Sequence, residues 1–120
     1  MAKPGETGLK RVISACVYSW RGLKACWQHE AAFRQEIGVF IFLVPLGVYV
    51  GETAAEKAIL AGVCFLVLIV ELLNSGIEAI VDKTTPERNE LAGRAKDLGS
   101  AAVFIGNILV GLTWLIILAG

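Results

Sequence analysis

The sequence predicts an all-α integral membrane protein, with three transmembrane helices preceded by an N-terminal amphipathic surface helix. Three observations predict it. The charged residues leave three long apolar blocks, lysine and arginine gather on one side of those blocks, and apolar residues ahead of the first block recur at helical spacing. Of 120 residues, 56% are apolar, more than a soluble domain of this length readily covers with polar surface. Mean hydropathy is +0.67. Formal net charge is zero, so nothing in the charge balance points to a nucleic-acid partner.

The surface helix is placed over residues 8–34. Leu9, Val12, Ile13, Cys16, Val17, Trp20, Leu23 and Trp27 form a single apolar stripe on a helix. Lys10, Arg11, Arg21 and Lys24 border the stripe, and Tyr18, Trp20 and Trp27 are residue types favoured at a lipid–water interface. Charge is scattered through the first 36 residues, which argues against a cleavable signal peptide.

The first span, 35–54, is built on the uncharged block 37–51. Its Pro45 should kink the helix or lie against a neighbour. Gly47 and Gly51 have GxxxG spacing, a weak sign of close helix packing. The second span, 58–81, is interrupted by Glu71 and Glu78. The last segment, 86–120, opens at Thr85-Pro86-Glu87, a capping hydroxyl, a first-turn proline and an acid at the positive end of the dipole. It continues into the uncharged block 98–120. Each block approaches the ~20 residues needed to span a bilayer. In lipid, backbone groups must pair within their own segment, so each block is read as a helix.

Orientation follows from the cations. Lys3, Lys10, Arg11, Arg21, Lys24 and Arg34 precede the first span, and Lys83, Arg88, Arg94 and Lys96 lie between the second and third. Only Lys57 follows the first span, an asymmetry of ten against one. The positive-inside rule therefore puts the N-terminus and the 82–97 segment in the cytoplasm and the C-terminus outside. Cys16, Cys26 and Cys64 are widely separated and His29 is the sole histidine, so neither a disulfide framework nor a zinc site is expected. His29 reads as a solvated residue at a helix end.

The chemistry lies in the second span. Glu71, Asn74, Glu78 and Asp82 stand at offsets of three, four and four, so they share one helical face. Ionisable groups within a membrane cost ~2.5–3.5 kcal/mol each on insertion scales and mark functional sites. Asn74 alone would serve to join helices, whereas two carboxylates only repel each other. At ~1.5 Å per residue, Glu71 lies ~16 Å along the helix from Asp82, and Glu78 ~6 Å from it. A carboxylate near the water suits magnesium, a hard ion commonly held by one or two carboxylates and substrate phosphates. A deeper one suits removal of a proton from a lipid hydroxyl, because a carboxylate withdrawn from water is a stronger base. Lys96 and Asp97, at the mouth of the third helix, add a cation for phosphate and another acid. These parts fit phosphoryl transfer from a nucleotide to a lipid alcohol. Neither GxxxxGK[ST] nor a kinase-type GxGxxG occurs, which excludes the familiar soluble nucleotide folds. A small proton- or ion-conducting oligomer, with Glu71 and Glu78 as its relay, is the rival from another class. It has no need of Glu30, Lys96 or Asp97. In either case one chain offers the carboxylates few partners, so a homo-oligomer is expected.

The strings VELLNSGIEAIVD (70–82), GRAKDLGSAAV (93–103) and WQHEAAFRQE (27–36) carry a resemblance. Nearly the whole chain from Gly8 onward resembles the bacterial integral-membrane diacylglycerol kinases. The resemblance implies a homotrimer in the bacterial inner membrane that converts diacylglycerol and magnesium-ATP to phosphatidic acid. It implies Glu71 as catalytic base and Glu30 and Glu78 as metal ligands. It also implies nucleotide contacts from Arg11, Tyr18, Glu30, Glu78, Glu87, Arg88, Asn89, Lys96 and Asp97. Gln35, Glu36, Glu71 and Ser100 would face the lipid substrate, with Asn74 in support. Gln28-His29 and Ser14 depart from the pattern. Undecaprenol kinases of the family share these motifs, so that lipid alcohol stands as the alternative acceptor. Asn107 receives no chemical role and is expected to bond a neighbouring helix.

Overall fold

A computed structural model describes Gly5, residues 7–84 and residues 89–120 of the chain. Among these residues the structure is all-helical: α1 (Gly8–His29), α2 (Ala31–Val50), α3 (Ala54–Thr84) and α4 (Glu90–Ala119). Three of them, α2, α3 and α4, are long and apolar enough to cross a membrane. The chain is a multi-pass membrane protein by that measure. The Thr85-Pro86-Glu87 helix start, with Arg88, lies outside the described residues. The described part of α4 begins at a cap on Asn89, whose side-chain oxygen accepts from the Ala92 backbone N–H at 2.8 Å.

Residues 31–34, read from sequence as the end of the surface helix, form the first turn of α2. The break falls at Glu30, which is extended (φ −118°, ψ 108°) and separates α1 from α2. Arg34 closes the corner: its guanidinium donates to the Trp27 carbonyl at 2.6 Å and to Gln28 at 3.4 Å, two acceptors left over at the end of α1. At the far end of α2, Lys57 donates to the Val48 carbonyl at 2.6 Å. Thr53 and Glu56 then start α3, with Thr53 Oγ1 accepting from Glu56 N and Glu56 Oε1 from Glu52 N.

The central helix is α3, packed on both α2 and α4. The layer around it is thin, 47 × 42 × 21 Å overall, because α1 meets the rest only near its C-terminal end, where Cys26 is its one buried residue. The apolar core, at the α2–α3 turn end, comprises Phe40, Leu60, Cys64, Val67, Val110 and Trp114. Trp114 Nε1 donates to the Leu60 carbonyl at 3.1 Å and so satisfies the indole inside an apolar layer. Gly47 is buried where α2 meets this layer; a side chain there would come within 2.9 Å of Leu60 Cβ. Pro45 stays within the helix and exposed, rather than against another helix of the same chain. Outside the core, Phe104, Ile105, Ile108, Leu112 and Leu115 point outward from α4, the arrangement of a helix whose solvent is lipid or another apolar helix.

Candidate active site

Polar side chains lie along α3 in order of depth. Glu71 is 4% exposed and is the only buried charged residue among those described. Its carboxyl group is in hydrogen-bonding contact with that of Glu36, one helix away on α2. Glu36 also accepts from the Asn107 amide of α4 at 3.5 Å through Oε1, while its Oε2 is sealed from water without a protein donor. One turn along α3, the Asn74 side-chain oxygen is a second buried acceptor without a donor. Asn74 faces α4 at Gly99, where a Cβ would overlap the amide oxygen. Buried acceptors of this kind are costly unless something donates to them. A lipid hydroxyl is such a donor.

Two turns beyond Glu71 lies Glu78. It feels the charges of Glu30, Lys96, Asp82 and Glu71, so the α1–α2 corner and the α3 face converge here. Glu30 owes its place to the break between helices. Among the described residues no three His, Cys, Asp or Glu side chains gather into a closed metal cage. Two neighbouring carboxylates that leave the remaining positions to phosphate and water are the usual way magnesium is held beside a nucleotide, and Glu30 with Glu78 fits that pattern.

One further turn on, Asp82 accepts from Lys96 Nζ at 2.8 Å, tying α3 to α4. Asp97, next in sequence, faces the other way, into a shallow groove shared with Asn89, Glu90, Gly93 and Arg94. Asn89 therefore has a local task, capping α4, in addition to any contact its amide N–H groups make. Tyr18 is half-buried on α1, its ring 5.5 Å from the Arg21 guanidinium. Arg11 is exposed on the same helix; nineteen residues before Glu30, it stands ~28 Å away along α1, and Tyr18 ~18 Å. Within one chain neither joins the Glu30–Glu78 pair. Gln35 and Ser100 are exposed on α2 and α4. Glu87 and Arg88 lie outside the described residues.

Between α1 and α3 runs a cleft of about 800 Å³, lined by Leu23, Cys26, Glu30, Leu72, Ser75 and Ala79 among others. It is apolar along most of its length and carries Glu30 at its edge. Cys26 and Ser75 touch across it at 3.4 Å. Burial pushes the Cys26 thiol up, so it remains protonated near neutral pH. Sequence reasoning expected Asn107 to bond a neighbouring helix, and its amide reaches Glu36 on α2. It counted Arg34 only among the cations that set orientation and gave Ser75 no contact, its only local signal being polarity beside an apolar stripe.

A family model described as prokaryotic diacylglycerol kinase matches residues 17–118. The chain belongs to that family. It is 48% identical to the diacylglycerol kinase of Escherichia coli (strain K12), over 93% of this chain and 92% of that protein. It is 46% identical to the diacylglycerol kinase of Pseudomonas aeruginosa PAO1, over 97% of this chain and 94% of that protein. The corresponding Haemophilus influenzae protein is 45% identical over 90% and 92%. Members of this family are kinases, which sets the ion-conducting rival aside.

Proposed function

We propose that the chain phosphorylates diacylglycerol at the face of α3 that carries Glu71 and Glu78, with Glu71 as the base. That it is a kinase acting on diacylglycerol follows from its family; the division of tasks among residues rests on the site. The observation that carries it is Glu71 itself. A carboxyl group is buried at mid-helix in a membrane-spanning segment, in contact with the Glu36 carboxyl and one turn from the Asn74 oxygen, a buried acceptor without a donor. Such a place is costly to build and suited to receiving a hydroxyl proton.

The lipid hydroxyl donates to Glu71 while its oxygen attacks the γ-phosphorus of ATP. A new oxygen–phosphorus bond forms, the bond to the β-phosphate oxygen breaks, and the proton passes to Glu71. Phosphatidic acid and ADP leave. Glu30 and Glu78 would hold magnesium with the triphosphate, and the ion supplies charge neutralisation of the phosphates. Asp97, Asn89 and Lys96 lie towards the start of α4 and belong on the nucleotide side, as do Glu87 and Arg88, which precede it in the sequence. Gln35, Glu36 and Ser100 belong on the lipid side, with Asn74 in support. Arg11 and Tyr18, remote from Glu30 in one chain, would meet a nucleotide only through a neighbouring subunit or a shift of α1.

Three features of the setting complete the reading. The apolar stripe of α1, with Trp20 and Trp27 exposed, lies on the cytoplasmic leaflet. The N-terminus is cytoplasmic and the C-terminus outside, following the cation asymmetry. The assembly is a homo-oligomer, because the half-exposed polar face of α3 needs cover from lipid, and the family resemblance implies that it is a trimer. The deciding experiment is transfer of labelled phosphate from ATP to diacylglycerol and to undecaprenol, side by side with purified protein and with or without magnesium. Magnesium-dependent labelling of diacylglycerol is expected. Labelling of undecaprenol alone would overturn the substrate, and undiminished labelling without divalent ions would overturn the metal assignment.

A further inference from the structure

We propose that Asn107 is a positioning residue for the base: its amide holds the Glu36 carboxyl against Glu71. Asn107 is the only residue with a side-chain amide in the uncharged block 98–120, where insertion of a polar group needs compensation. Two contacts provide it. One bond runs from the amide nitrogen to the Val103 carbonyl, one turn back, at 3.1 Å, and another to Glu36 Oε1 at 3.5 Å. The first immobilises the amide, and its remaining N–H then has a fixed direction, which meets Glu36. Backbones of α2 and α4 do not approach each other, because α3 lies between them. The Asn107–Glu36 bond is thus a polar link across the central helix, at the level where Glu36 touches Glu71. Apart from the Glu71 carboxyl, Glu36 has no other donor among the described side chains, so without Asn107 that single contact is left to hold its carboxyl in place.

The inference rests on Glu71 as base, and the test separates the two. Asn107→Leu, Asn107→Ser and Asn107→Gln are compared with wild type and with Glu71→Gln, in detergent micelles. The readouts are kcat, the KM for diacylglycerol and for magnesium-ATP, helical content and the thermal transition. Serine still bonds the carbonyl one turn back but is too short to reach Glu36, whereas glutamine keeps an amide with reach. Asn107→Leu and Asn107→Ser should each lower kcat about tenfold, the scale of one hydrogen bond to a charged group, with the nucleotide KM unchanged. Asn107→Gln should recover much of that loss. If serine restores kcat as well as glutamine does, the bond to Val103 is all that matters and the proposal fails. It also fails if Glu71→Gln abolishes turnover while both Asn107→Leu and Asn107→Ser stay within about twofold of wild type. Should Glu71→Gln keep the wild-type kcat, the base assignment falls first, whatever Asn107 does.

Discussion

Gly99 on α4 leaves no room for a side chain against the amide of Asn74 on α3: a Cβ there would overlap the Asn74 oxygen. The two helices meet closely at this level because one of them lacks a side chain, and Asn74 occupies the space released. Gly99→Ala should therefore act on the site more than on the fold. The overlapping atom is the movable end of a side chain, and alanine gains about 0.5–1 kcal/mol over glycine inside a helix. We expect a thermal transition close to wild type and a kcat lower by about tenfold as Asn74 turns away, the loss typical of one displaced polar contact. A variant with full activity and a lower transition would show that Asn74 serves packing alone.

Glu71 and Glu78 should fail in different ways. Glu71→Gln removes the base and is expected to lower kcat about 10²–10⁴-fold with little change in the KM for magnesium-ATP. Glu78→Gln keeps the size but removes charge from the carboxylate pair, and should raise the magnesium concentration needed for half-maximal rate. Steady-state kinetics over a magnesium titration distinguishes them. Equal effects of both variants on nucleotide affinity would defeat this division of labour.

Cys26 offers a pH-dependent probe of the α1–α3 contact. Alkylation requires the thiolate, and burial raises the Cys26 pKa above that of a free thiol. At a given pH the folded protein therefore carries less thiolate, and the rate should climb only at higher pH than it does in unfolded protein. With Cys16 and Cys64 replaced by alanine, maleimide labelling across pH in mild detergent and in sodium dodecyl sulfate measures both curves. Superimposable curves would mean that α1 does not seal Cys26 against Ser75.

Orientation is checked by labelling intact cells. In a chain lacking its native cysteines, a cysteine at Gly120 should react with a membrane-impermeant maleimide, and one at Lys10 only after permeabilisation. The reverse pattern would place the Glu30–Glu78 end of the site on the wrong side for cytoplasmic nucleotide.

Helix number and spans were legible in the sequence because lipid imposes a local rule. A helix pairs its own backbone, so apolar length and flanking charge suffice to reveal α2, α3 and α4. Glu71, Asn74, Glu78 and Asp82 could be read as one face for the same reason: helical spacing is a property of a single segment. The corner at Glu30 was not legible, since no glycine or proline marks it between Gly22 and Gly38 and the break is held by Arg34, which reaches back to Trp27 and Gln28. The Asn89 cap of α4 was not singled out either, because spacing does not rank it among several polar residues.

What only the tertiary structure decided is which polar groups meet. The sequence by itself determined that Glu36, Glu71 and Asn107 each sit in or beside a span. It carries no local record of the rotation and axial offset between α2, α3 and α4, which bring those three together from positions 35 and 36 residues apart in the chain. That register is set by close packing at Gly47 against Leu60, at Gly99 against Asn74 and at Trp114 against the Leu60 carbonyl. Each of these is a contact between segments far apart in the chain, and its energy depends on shape at the point of contact rather than on periodicity along either helix.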